Sequence, residues 1–167
     1  MAKKEIPLEV AKKTAYKIVD TLDQYCENIA VVGSIRRRQP IVHDIDIVLI
    51  PQTFMWDETI PTKLKKILGA KIIRNGPLIK QLQIDGINVD LVHATTQNWG
   101  IRMLRWTGST AHNIMLCKRA RSLGMKLAVS EGLLDKDQNL LEAQSEAAIF
   151  KHLGLEYIEP ENREANK

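Results

Sequence analysis

The chain has 167 residues, about the size of one domain, and its 44% hydrophobic and 26% charged content is that of a globular protein, neither disordered nor fibrous. No apolar run approaches the roughly 18 residues that cross a bilayer. Met-Ala-Lys-Lys-Glu is no signal peptide, and Cys26 and Cys117 form no CxxC pattern, so reduced thiols and an intracellular location are expected. The net charge of +4 hides an asymmetry: residues 1–130 hold 20 basic and 11 acidic side chains, residues 131–167 hold 4 and 9. Lys63, Lys65, Lys66, Lys71, Arg74 and Lys80 lie in one acid-free stretch, and Arg102, Arg105, Lys118, Arg119, Arg121 and Lys126 in another. Such runs suit a polyanion-binding surface, though scattered solvated faces would give the same count.

In chain order, Ile6, Val10, Ala15, Ile18, Val19 and Leu22 recur at helical spacing, with Pro7 fitting the first turn. Ile29–Val32 reads as a buried strand stopped by Gly33-Ser34, and Asp44–Ile50 as a second strand ended by Pro51. Residues 52–61 read as a loop and Thr62–Leu68 as a basic helix closed by Gly69. Ile79–Ile84 and Ile87–His93 flank Asp85-Gly86, a two-residue hairpin signal. Helices are expected at Trp99–Trp106 and Ser109–Leu123, short strands near Lys126–Val129 and Gly132–Leu134, and a helix near Ser145–His152. The fold class is α+β, with a sheet region up to about residue 95 and a mostly helical region after it.

Three features carry chemistry. Gly33-Ser34-Ile35-Arg36-Arg37-Arg38 follows a strand, and a Gly-Ser turn opening a helix offers backbone N–H groups, a hydroxyl and guanidinium donors to a phosphate. An ordinary turn beside a solvated Arg run is the plainer alternative. Asp44 and Asp46, two apart on a strand, project from one face while Ile45, Ile47 and Leu49 cover the other. Adjacent carboxylates repel, so the pair calls for a cation, and oxygen-only sites suit Mg²⁺ or Mn²⁺. Asp90 stands alone in the apolar Asn88–Val92 run, where it is either a structural acid or the third member of a carboxylate set. Asp85 belongs to the hairpin turn. His43, His93 and His112 lack zinc-ligand spacing, and Met55 and Trp56 read as loop anchors.

Gly33-Ser34, Arg37, then Asp44-Ile-Asp46 ten residues after Ser34, then a distant Asp90, resemble the nucleotidyltransferase signature of the polymerase beta superfamily. Thr107-Gly108-Ser109 with His112-Asn113, the Ser130-Glu131-Gly132-Leu133 segment, and the run from Glu146 through Tyr157 and Pro160 to Arg163 are similar to family X DNA polymerases. The likeness covers about Ile6 to Arg163. It implies a palm over residues 1–95, a nucleotidyltransferase subdomain with a mixed β-sheet flanked by helices. A mostly helical thumb over residues 96–167 would bind nucleotide and DNA. By this resemblance Asp44, Asp46 and Asp90 would be catalytic and would hold two Mg²⁺ ions, with Mn²⁺ able to substitute. Gly33, Ser34 and Arg37 would bind the incoming triphosphate. Trp106, Thr107 and Gly108 would line the sugar pocket, Asn113 would reach the minor-groove edge, and Arg102, Arg105, Lys118, Arg119 and Arg121 would follow DNA phosphates.

The implied activity is DNA-directed extension of a primer 3′-hydroxyl with pyrophosphate release, in short-gap filling for DNA repair. Template-independent terminal transfer, or nucleotidyl transfer to a small molecule or protein, is the alternative. The implied partners are primed or gapped DNA and deoxynucleoside triphosphates, with ribonucleotides as a second class. The chain would be a monomer without membrane attachment, cytoplasmic or nucleoid-associated. The likeness starts at the palm, so the family's lyase and helix-hairpin-helix domains are not expected. Three positions depart from the pattern: Glu5 where some members have a phosphate-binding Arg, Arg105-Trp106 where many have Tyr-Phe, and Cys117 where an Arg meets the template. They bear on triphosphate binding, sugar choice and template use respectively.

Overall fold

The first helix starts later than its apolar spacing implies. In the computed structural model, which describes residues 4–164, Ile6–Pro7 forms a short strand, β1, and α1 spans Leu8–Leu22. Pro7 is extended (φ −58°, ψ 139°), and Leu8 N–H donates to Pro40 O rather than to a helical carbonyl. A 3₁₀ turn follows at Asp23–Tyr25. The next strand, β2, runs Cys26–Val31 and bulges between Cys26 and Asn28. Its polar start, Glu27-Asn28, hid its length, because an edge strand carries solvated side chains as readily as apolar ones. Next come α2 (Gly33–Arg36), a single turn, and β3 (Ile41–Val42), which pairs antiparallel with β1.

The strand β4 is Ile45–Pro51, so Asp44 lies in the bend before it rather than on it. Helix α3 spans Thr59–Leu68, three residues longer at its start than expected, with Pro61 tolerated in the first turn. At its end Gly69 N–H donates to Lys65 O and Ala70 N–H to Leu64 O, closing the carbonyls of the last turn. An unanticipated strand, β5 (Lys71–Asn75), is mostly exposed and sits at the sheet edge. The hairpin of β6 (Ile79–Ile84) and β7 (Ile87–His93) forms as the sequence indicates, Asp85 and Gly86 both taking the positive φ of a type I′ turn.

The five-stranded sheet has the order β2-β4-β7-β6-β5, antiparallel except for the parallel pair β4–β7. Ile45, Ile47 and Leu49 of β4, Leu82 and Ile84 of β6, and Val89 and Leu91 of β7 pack with Ala11, Ala15 and Ile18 of α1 and Ile60 and Leu64 of α3. Each large aliphatic buried there contributes about 1.5–3 kcal/mol, which fixes the register and therefore the face on which the intervening polar residues emerge. Lys80 is the exception in this layer. It is 1% exposed, its Nζ donates to Asn75 Oδ1 and Gly76 O and lies 4.5 Å from the Trp56 ring centre, and burial lowers its pKa. Trp56 is buried against His93, so the anchoring role read for the 52–61 loop holds.

These elements make one compact unit ending at Ala94; a second begins at Thr95. It contains α4 (Trp99–Thr107), α5 (Thr110–Ser122), a small antiparallel sheet of β8 (Lys126–Ala128), β9 (Gly132–Leu134) and β10 (Leu140–Leu141), and α6 (Glu146–His152). Its core joins Ile101, Leu104, Leu116, Leu133, Ile149 and Phe150. Ser109 and Ser145 are helix caps, each hydroxyl accepting an N–H three residues on. The α+β class expected from the sequence is the class observed. No helix among the described residues is long and apolar enough to cross a membrane.

Candidate active site

In the first unit the parallel pairing of β4 with β7 sets Asp46 directly beside Asp90. Both are half-buried and, being in register, emerge on one face of the sheet, opposite the aliphatic layer. Gln81, the β6 partner of Asp90 in the antiparallel ladder, donates from Nε2 to Asp90 Oδ1 at 3.2 Å. That residue was missed in the sequence; only the pairing of β6 with β7 reveals that its alternate positions share the face of Asp90. Asp44, half-buried in the preceding bend, stands two residues from Asp46 on the same chain segment.

Gly33 closes this side of the site. Its φ is +63°, and a Cβ built on it would lie 2.1 Å from Asp46 Oδ2, so the backbone reaches the carboxylate because no side chain intervenes. Val32 N–H donates to Asp46 O at 2.9 Å, holding the Gly33-Ser34 turn on β4. Helix α2 behind the turn has only four residues, so little helix dipole stands behind Ser34. What the turn can offer an anion is its backbone N–H groups; beside it Arg36 and Arg37 are half-buried and Arg38 is exposed.

All these carboxylates supply hard oxygen donors, which fit Mg²⁺ or Mn²⁺. Among the described residues no three His, Cys, Asp or Glu side chains are gathered closely enough to hold a metal by themselves. Substrate phosphate oxygens commonly complete such coordination spheres.

In the second unit Trp106 is half-buried near the end of α4, Thr107 is fully buried, and Gly108 turns the chain toward the cap Ser109. The Gly108–Ser109 peptide is cis. Asn113 is buried on the first turn of α5, with Nδ2 donating to Arg105 O at 2.8 Å. A cavity of about 220 Å³ brings together Arg105, Asn113 and Cys117 with Ile101, Leu104 and Leu127. Arg105, Lys118 and Arg121 are exposed, as phosphate contacts require. Two other cations are less accessible. Arg102 is 5% exposed, its Nε has no partner, and desolvation lowers its pKa. Arg119 is half-buried, with Nε donating to Leu153 O at 2.8 Å. Of the expected phosphate-facing set, Arg105, Lys118 and Arg121 are exposed, Arg119 is partly exposed and Arg102 is buried.

His112 is structural. Its ring stacks on Phe150 with centroids 5.8 Å apart, and neither ring nitrogen has a hydrogen-bond partner. Burial, and then the nearby Arg163 cation, lower its pKa from 6.5 to about 4, against the opposing pull of Glu146. The unfolded chain therefore binds an extra proton between these two pH values. Stability should fall as pH drops through that window and level off below it, by about 3 kcal/mol in all. Melting curves at several pH values, compared with His112→Phe, check this: the variant should lose that component of the acid sensitivity.

Known proteins match both units. The DNA polymerase beta thumb family matches residues 102–164. Human "DNA-directed DNA/RNA polymerase mu" is 40% identical over 80 residues, 47% of this chain and 16% of that protein. "DNA nucleotidylexotransferase" of Eulemur macaco is 39% identical over 92 residues, 52% of this chain and 18% of that one. The chain thus spans less than a fifth of the length of these curated relatives. Polymerase beta of Leishmania infantum shares the fold. Its ternary gap complex gives a TM-score of 0.83 at 20% identity over 97% of this chain and 71% of the other, and its ternary P/T complex 0.80 at 22% over 97% and 77%. Residues 102–164 thus resemble the polymerase beta thumb in sequence, and the chain shares the polymerase beta fold.

Proposed function

We propose that this protein is a DNA polymerase that extends a primer 3′-hydroxyl by nucleotidyl transfer, filling short gaps. The observation that carries the reading is the in-register pair Asp46 and Asp90, with the bare backbone of Gly33 against Asp46, in a chain that also carries a polymerase beta thumb. The 3′-oxygen attacks the α-phosphorus, the bond from that phosphorus to its bridging oxygen breaks, and pyrophosphate leaves. Asp44, Asp46 and Asp90 would hold the divalent ions, whose charge, when bound, lowers the cost of the negative charge that develops on the phosphates. Gln81 orients Asp90. The Gly33-Ser34 turn and Arg37 grip the β- and γ-phosphates of the incoming nucleotide. In the second unit Trp106, backed by the buried Thr107 and Gly108, contacts the sugar, Asn113 the base edge, and Arg105, Lys118 and Arg121 the DNA backbone.

A second reading, untemplated addition, is favoured by Arg105-Trp106 before Thr107 and by the likeness to a nucleotidylexotransferase. The relative described as a DNA/RNA polymerase likewise supports ribonucleotide use. One assay separates these readings: extension of gapped, primed and single-stranded DNA with deoxy- or ribonucleotides and Mg²⁺ or Mn²⁺, with Asp90→Ala as control. Gap filling abolished by Asp90→Ala is the expected result. Equal extension of single strands would favour terminal transfer, and no incorporation under any condition would overturn both readings.

A further inference from the structure

Among the described residues of the second unit Arg163 is the most deeply buried charged one, 1% exposed, and it reaches two places at once. Its side chain is locked: Nε donates to Ile158 O at 2.8 Å, Nη1 donates to Glu146 Oε1 at 2.6 Å, and the guanidinium lies 5.5 Å from the Phe150 ring centre and 5.3 Å from that of Tyr157. Glu146 is itself buried at the start of α6 and accepts from Tyr157 Oη at 3.4 Å. The backbone carbonyl of Arg163 then accepts twice from Ser109, from Oγ at 2.6 Å and from N–H at 3.4 Å. Ser109 Oγ also accepts from His112 N–H, so its proton is committed to Arg163 and its lone pair to α5. Asn113 N–H donates to Ser109 O, and Asn113 Nδ2 to Arg105 O. A continuous path of bonds thus runs from Glu146 through Arg163 and Ser109 to Asn113 and the end of α4.

A buried ion pair is a costly way to gain stability, since an apolar pair of like volume commonly does as well or better. What it supplies is direction: a guanidinium held by Ile158 and Glu146 and laid on two rings fixes where its own carbonyl points. We propose that Arg163 and Glu146 are positioning residues that set the Thr107–Ser109 turn and the Asn113 amide for the incoming nucleotide, a role that rests on the nucleotide-binding reading of those residues given above. Neither residue touches the substrate; both act through Ser109.

The test replaces the pair by an apolar one, Glu146→Met with Arg163→Met, alongside Arg163→Lys and Ser109→Ala. Measured on each are the melting temperature, kcat and nucleotide KM in primer extension, and hydrogen exchange of the amides of residues 109–113. For the Met pair the expected result is a melting temperature near that of the parent chain, exchange at least tenfold faster, and KM at least tenfold higher with kcat within threefold. Arg163→Lys, which retains the charge, should recover part of the KM. If the Met pair does not fold, Ser109→Ala decides the question, because it removes the shorter of the two bonds to the Arg163 carbonyl and leaves the ion pair in place; it should shift exchange and KM in the same direction. Parent-like exchange and KM in every folded variant would overturn the proposal. If the parent chain incorporates no nucleotide, the functional reading fails by itself, and unchanged or accelerated exchange still decides whether Arg163 holds the turn.

Discussion

Asp46→Asn should lower nucleotide incorporation by at least about 1,000-fold, roughly 4 kcal/mol of transition-state stabilisation, while changing folding stability by no more than about 1 kcal/mol. Asparagine has the shape of aspartate, so β4 retains its ladder and Val32 N–H still finds the backbone carbonyl at position 46. What is lost is a negative charge next to Asp90. Like charges on facing strand positions oppose folding, so losing one offsets part of whatever favourable contact the carboxylate makes. A large effect on rate with almost none on melting is the signature of a group retained for chemistry. Single-turnover incorporation and a melting curve on the same preparation measure both. A variant within tenfold of the parent rate would remove Asp46 from the chemistry.

Gly33→Ala should act on both quantities. An alanine at φ +63° is strained by about 1–2 kcal/mol, and its Cβ would meet Asp46 Oδ2 at 2.1 Å, so either the turn or the carboxylate must move. Incorporation is expected to drop at least about 100-fold, the scale seen when a reacting group is displaced by an ångström. Gly69 provides the control. It has the same φ of +63°, but nothing lies within 4 Å of a Cβ there. Gly69→Ala should therefore show the same backbone cost, about 1–2 kcal/mol, with incorporation unchanged. Equal effects of the two substitutions on activity would mean that the approach of Gly33 to Asp46 has no functional weight.

The parts of this molecule that can be read in its sequence are those where local chemistry and tertiary packing agree. Asp85-Gly86 between two apolar runs can hardly be anything but a tight hairpin, and Ile45, Ile47 and Leu49 dictate which face Asp46 occupies. Other features depend on partners distant in the chain. β5 carries the charged and polar surface of an edge strand, so its alternation is weak. Arg102 sits in an acid-free basic stretch and reads as a surface cation, yet it is buried; charge clustering reports exposure only on average. Ile6-Pro7 gains strand structure only because Ile41-Val42 comes to meet it. The bonds of Gln81 to Asp90 and of Arg163 to Ser109 are likewise invisible until β6 lies on β7 and the segment around Pro160 reaches Ser109. The acids could be picked out in advance, but not these partners.

The parallel seam between β4 and β7 also governs how the protein comes to have a site at all. On one side of it β4 pairs with β2; on the other, β7, β6 and β5 form a meander of strands adjacent in sequence. Each side can assemble from near neighbours, whereas joining β4 to β7 must close the loop that contains α3, β5 and β6, and such non-local closure is slow and comes late in folding. Asp46 lies on one side of the seam and Asp90 on the other. A chain with either half formed but the seam open has no paired carboxylates, so under the proposed function partly folded forms would be catalytically silent and activity would report completion of the whole sheet.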